Sequence, residues 1–166
     1  ADRAPEVWDA LAATGAVPFG LDAVELLRIE CGLLIQEEDY WVGETDPLDL
    51  SLEGFIDLDH DFVGRTAVAA RIGAPPRRMV TLSFEGERVP EAGTPLERKG
   101  EQGGVVRSAV LSPRFGVIAL AVMDRAQVAY GGAVDVGELV ASVGQVPIDD
   151  PHKLRPRADP RSPVLA

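Results

Sequence analysis

The chain contains one cysteine and two histidines, and basic residues are outnumbered by acidic ones. A single thiol, Cys31, excludes an intrachain disulfide as a staple of the fold. It fits a reducing, cytoplasmic compartment, and its apolar neighbours read as those of a core thiol. The histidines, His60 and His152, stand far apart. His60 lies between Asp59 and Asp61, but alternating neighbours point apart on a strand, so no metal centre is expected. No apolar run approaches the ~18 residues of a membrane span. The first residues, Ala1-Asp2-Arg3-Ala4-Pro5-Glu6, lack a basic start, an apolar leader core and an initiator Met, so a processed or excised chain is expected.

The charge balance, 16 basic against 27 acidic residues for a net −11, repels phosphate backbones. Aromatics are not interleaved with Lys and Arg either, so nucleic-acid binding is excluded as the main role. A small anion remains admissible where a local basic group supplies the positive side. With 166 residues, of which 46% are hydrophobic, the chain has material for one substantial core or two small ones.

Periodicity predicts a helix over Glu6–Thr14, with Val7, Trp8, Leu11 and Ala12 on one face, ended by Gly15 and Pro18. A second helix is expected from Asp22 to Leu27, with Asp22 as cap and Glu25 at N3, passing into a short strand through Arg28–Cys31. Gln36 to Pro47 reads as an acidic loop, although Tyr40 and Trp41 need a surface to cover. A strand is expected over Leu52–Asp57 and a helix over Thr66–Arg71. Gly73-Ala74-Pro75-Pro76 marks the clearest boundary.

Beyond it the pattern changes to short strands. These are Arg78–Phe84, Leu96–Arg98, Gly104–Val110, Val117–Met123, Ala133–Val136 and Glu138–Val143, with a further segment at Gln145–Ile148. Lys99–Gly103 reads as a hairpin loop. Strands at this spacing make a small closed barrel or sandwich. Asp149–Ala166 holds four prolines and reads as an extended tail. The expected class is α+β: an α+β segment over 1–74, a small antiparallel β-barrel over 75–148, and the tail over 149–166.

Two segments stand out as sources of chemistry. Leu26–Gly32 plants Glu30 in an apolar run ended by glycine, and Arg107–Pro113 sets Arg107, Ser108 and Ser112-Pro113 between strand-like runs. A carboxylate in such a run either meets a ligand or pairs locally, with Arg28 or with backbone groups. Asp39 faces either a substrate or solvent. Arg107 and Arg114 suit salt bridges between barrel and neighbouring segment, or contact with a ligand's tail. Arg65 is expected to pin the Phe62–Gly64 turn. Ser108 and Ser112 have no His and acid arranged in sequence to activate them as nucleophiles.

The succession Gly20…Leu27–Gly32, Asp46-Pro47-Leu48-Asp49 and Asp61–Ala67 resembles the later part of the folate-binding region of glycine-cleavage T-proteins (aminomethyltransferases). Val80-Thr81-Leu82, Pro90–Gly93, Gly104–Ser108, Ser112-Pro113 and Ile118–Ala121 resemble their C-terminal barrel. That superfamily includes tetrahydrofolate-dependent aminomethyl transfer, demethylation of methylated amines or methoxy compounds, folate domains fused to sarcosine and dimethylglycine dehydrogenases, and YgfZ-type proteins. The resemblance implies a tetrahydrofolate cofactor and a methylated or aminomethyl donor. It implies that Glu30 bonds the pterin edge and that His60 stands nearest the residue meeting the folate tail. Asp39 and Arg107 complete the implied cofactor-binding set. Departures include Ile35–Asp39 where the family has Leu-Tyr-Gly-x-Asp, and Arg107 where threonine is common. The YgfZ signature is absent, with Asp61–Arg65 in its place.

The family's catalytic aspartate belongs to an N-terminal half without counterpart here, so no catalytic residue is assigned. The resemblance therefore implies a C-terminal portion or small subunit of a folate-dependent one-carbon transferase or demethylase, joined by a second polypeptide. The alternatives are a non-catalytic folate-binding or scaffolding module, or a partner-binding surface with no ligand.

Overall fold

The computed structural model describes residues 2–150. Of the expected tail, residues 151–166, with His152, lie outside the described residues. Three helices come first: α1 (Ala4–Ala12), α2 (Leu21–Glu30) and α3 (Arg65–Arg71). Six strands follow: β1 (Arg77–Phe84), β2 (Pro95–Arg98), β3 (Glu101–Ser112), β4 (Gly116–Asp124), β5 (Ala133–Val136) and β6 (Leu139–Gly144). They close into an antiparallel barrel in the order β1-β4-β3-β2-β5-β6, with β6 pairing back onto β1. The α+β class with a terminal antiparallel barrel is as the sequence predicts.

The barrel follows from alternation. Val80, Leu82 and Phe84 of β1 pack with Val117, Ala119, Ala121 and Met123 of β4 in an interior cluster completed by β2, β3, β5 and β6. The other face of β4, Ile118, Leu120 and Val122, is covered by Ile29 from α2 and by Leu50, Leu52 and Tyr40 from the loops. Burial on both faces is why β4 reads as one unbroken apolar run. Lys99 and Gly100 both have positive φ, 56° and 79°, and make a two-residue hairpin turn. β3 therefore starts at Glu101, earlier than the sequence predicts.

Two local expectations are corrected. Arg28–Glu30 is the last turn of α2, not a strand. Gly32 takes φ 64°, and its N–H reaches Ile29 O at 3.2 Å while Leu33 N–H reaches Arg28 O at 2.7 Å, a Schellman closure. That closure satisfies the helix carbonyls and holds the turn helical against the β preference of Ile29. The segment Leu52–Asp57 is not a strand; Glu53–Phe55 forms a single 3₁₀ turn. Asp22 lies in the first turn of α2, with Gly20 at the cap position, because the helix is capped two residues earlier than expected. The Gln145–Ile148 segment joins no strand; Val146 and Ile148 instead pack on the outer face of the barrel.

Candidate functional site

The last turn of α2 lies against the β3–β4 side of the barrel, and two polar networks cross that junction. The first centres on Arg28, 4% exposed. Its Nη1 donates to Asp39 Oδ2 at 2.7 Å and its Nη2 donates to Ser108 Oγ at 2.9 Å. Nε and Nη2 also reach Glu25, at 2.7 and 2.5 Å, and Nη2 reaches Glu38 at 2.8 Å. Ser108 Oγ donates to Asp39 Oδ1 at 2.5 Å, and Ile35 N–H donates to Oδ2 at 2.8 Å. Burial works against the Arg28 charge, but Glu25 hydrogen bonding and the fields of Asp39, Glu25 and Glu38 outweigh it and raise its pKa.

The second network centres on Glu30, 1% exposed. Ser112 Oγ donates to Oε1 at 2.5 Å and Arg114 Nη1 donates to Oε2 at 3.3 Å. Arg114 also grips Asp149 with both terminal nitrogens, at 3.1 and 3.0 Å. Asp149 N–H closes the circuit on Glu30 O at 3.0 Å. Hydrogen bonding from Asp149 is the largest influence on Arg114 and lifts its pKa.

In these networks Glu30 and Arg28 do not pair with each other. Two residues apart on a strand they would share a face; on a helix they diverge, and each finds its own partners. Arg114 is the salt bridge between barrel and neighbouring segment that its sequence position suggested. Arg107 is not. It is the extra residue of a β-bulge: Val106 pairs with Ala121 and Ser108 with Leu120, leaving Arg107 unmatched. Its guanidinium lies over Trp41, 4.6 Å from the ring centre, which gives that aromatic the surface it needs. Its Nε is buried without a hydrogen-bond partner. Burial, followed by repulsion from Arg77, lowers its pKa, against the opposing pull of Asp39 and Glu44.

Arg107, Trp41, Glu37 and Glu38 line a cleft of about 550 Å³ between the 36–41 loop and the 90–93 loop. Asp39 accepts from Ser108, which lines this cleft, and is itself buried in the Arg28 network. Glu30 belongs to the separate Arg114 network, and His60 sits in an exposed loop, with Nδ1 3.5 Å from Asp57 and its ring against Phe62. The fold thus brings Asp39 and Arg107 together and keeps Glu30 and His60 apart from them. Arg65 donates from Nε to Leu58 O at 2.8 Å, while its N–H reaches Phe62 O at 3.2 Å, so it fastens that loop. Among the described residues no group of three or more His, Cys, Asp or Glu is placed to hold a metal, and no helix is long and apolar enough to cross a membrane. Sequence reasoning did not find the Ser108 and Ser112 hydroxyls as donors to buried carboxylates; their places beside Arg107 and Pro113 carried no such signal.

The chain has clear relatives. Residues 77–144 match the glycine cleavage T-protein C-terminal barrel domain. The chain is 34% identical over 152 residues to an aminomethyltransferase of Thermotoga petrophila, covering 84% of this chain and 42% of that protein. It is 39% identical over 141 residues to an aminomethyltransferase of Streptomyces avermitilis, covering 78% and 38%. It is 33% identical over 163 residues to a trimethylamine-oxide aldolase of Ruegeria pomeroyi, covering 92% of this chain and 20% of that protein. The crystal structure of the glycine cleavage system aminomethyltransferase T from Bartonella henselae superimposes with a TM-score of 0.76 at 25% identity, over 87% of this chain and 43% of that one. The chain thus spans less than half the length of each of these relatives. Fold and sequence agree: residues 77–144 carry the glycine-cleavage T-protein C-terminal barrel domain, and the chain is T-protein (aminomethyltransferase)-like along most of its length.

Proposed function

We propose that the chain is the part of a tetrahydrofolate-dependent one-carbon transferase or demethylase that helps to hold folate. In this reading residues 1–74 end the folate-binding domain and 75–148 form its companion barrel. The observation that carries it is the run of matches along most of the chain to proteins named for aminomethyl transfer and, in one case, for trimethylamine oxide. A methylated or aminomethyl amine is the donor class common to those names.

The residues present fit the acidic end of folate better than its pterin end. Arg107 has donors with no protein acceptor, which suits a carboxylate-bearing tail. Glu30 has the acceptor chemistry that an aminopyrimidine edge requires, but each of its oxygens already takes one bond. Arg114, half-exposed, is the group whose displacement opens Glu30 to a pterin. Asp39 acts in this scheme by holding Arg28 and Ser108 in place at the cleft, and His60 offers a further ring nitrogen from its loop. Tetrahydrofolate, when bound, supplies N5 as the acceptor of the one-carbon unit. This chain contributes position and charge around it.

A complementary half of the fold, on the same polypeptide or on another, would meet this chain at α1. α1 has no buried residue, and Val7, Trp8 and Leu11 leave an apolar face that such a segment would cover. That face also favours a second reading, a non-catalytic module that binds a partner alone. Native mass spectrometry of material from the source, followed by tetrahydrofolate titration, tests both. A complex that binds folate and loses affinity on Glu30→Gln supports the enzyme reading. A complex indifferent to folate supports the module, and a monomeric chain without exposed apolar surface overturns both.

A further inference from the structure

We propose that Arg107 and Arg77 form a recognition site for the carboxylate of a small molecule, in the groove that they share on the barrel wall. This site stands on its own geometry and does not depend on the folate reading.

The bulge in β3 is the first observation. By inserting Arg107 between two regular pairs, it turns this side chain out of the ladder's alternation and over Trp41. The second is the absence of a partner. Every other described arginine donates from its side chain to a protein oxygen. Arg107 donates to none, and its Nε is buried. In a chain of net charge −11, an arginine without an acceptor is the exception that calls for a cause. The third is a neighbour of like sign. Arg77 lines the same groove, about 330 Å³ in volume, with Gln102. Arg77 binds Asp49 and the Glu44 carbonyl through Nη2 alone, at 2.8 and 3.4 Å, so Nε and Nη1 have no protein acceptor among the described residues.

Two guanidiniums on one groove, repelling each other and short of acceptors, suit a carboxylate that takes hydrogen bonds from both. Trp41 holds the Arg107 plane in place, so less rotamer freedom is lost on binding. Asp124 also lines the groove, and its charge selects against polyanions.

The experiment uses the whole chain carrying Trp8→Phe, which leaves Trp41 as the only indole of the two in the sequence. Trp41 emission is followed while glutarate or p-aminobenzoylglutamate is added, with sodium chloride at matched ionic strength as control. We expect a saturable change with both carboxylates and none with chloride. Arg107→Gln should weaken binding about tenfold or more, and Arg107→Lys should weaken it less, since lysine keeps the charge but loses the fork. Arg88→Gln, on an exposed pair elsewhere, should change nothing. Much tighter binding of p-aminobenzoylglutamate assigns the carboxylate to a folate tail; equal binding assigns it to an independent small acid. Glutarate binding by a chain that ignores tetrahydrofolate removes the folate reading and keeps this site. A response equal to that of chloride, or one unchanged in an Arg107→Gln protein of unaltered melting temperature, overturns the proposal.

Discussion

Along β4 every residue from Val117 to Met123 is buried, whereas along α1 none is. Both segments are rich in apolar side chains. β4 has the barrel interior on one face and the end of α2 with its loops on the other, so the barrel and its cover form a closed hydrophobic unit. α1 turns Val7, Trp8 and Leu11 to solvent, each more than half exposed. The difference separates what this chain stabilises by itself from what it offers to another body. It also explains why the polar networks lie where they do. Arg28 and Glu30 sit at the one helix end that the barrel buries, and buried charge demands partners.

The contrast breaks most visibly at the buried junction. Arg28→Ala leaves Asp39 buried without its ion pair and should destabilise the chain by about 3–5 kcal/mol, read from urea unfolding. A loss no larger than that of a surface substitution would mean that the junction opens freely. On β4, Leu120→Ala removes a fully buried side chain from the outer cluster and should cost about 2–5 kcal/mol in the same assay. At the helix stop, Gly32→Ala would place a Cβ 2.5 Å from Val146 Cγ1 at a left-handed φ, so a loss of about 1–3 kcal/mol is expected from its thermal melt.

Leu11→Ala on α1 sharpens the comparison from the other side. It should move the stability of the isolated chain by no more than about 0.5 kcal/mol, because Leu11 is more than half exposed. A larger loss would show that α1 is already docked. The smallest effect belongs to the exposed pair of Arg88 and Glu138. Hydrogen bonding and charge from Arg88 hold the Glu138 carboxyl below the usual glutamate range. A depressed folded value contributes stability above the ordinary pKa and loses it as pH falls through the folded one. Arg88→Gln should therefore flatten the acid side of the melting-temperature profile slightly between about pH 5 and pH 2, and no change there would mark the pair as energetically silent.

Much of the barrel was legible because its signals are local. Alternation placed β1, the unbroken run placed β4, and Lys99–Gly103 placed a hairpin, each within a window that the chain samples alone. The last turn of α2 was misread because Arg28–Cys31 suits either state over so few residues, and the Schellman closure that decides it needs only Gly32 in the left-handed region. At the site, sequence singled out Arg107 as a candidate but had no means of showing the bulge, since a bulge exists only relative to the strand beside it.

The sequence by itself determined the change from helices to barrel strands, the unbroken apolar run of β4 and the charge balance that repels nucleic acid, because periodicity and charge are properties of the chain. Tertiary structure decided who meets whom. Arg28 and Ser108 are 80 residues apart, and Glu30 and Ser112 are 82. Those meetings depend on closure of the barrel and on the angle at which α2 ends against it. Arg107 was left without an acceptor by the same closure, which carried each nearby carboxylate to another partner or out of its reach.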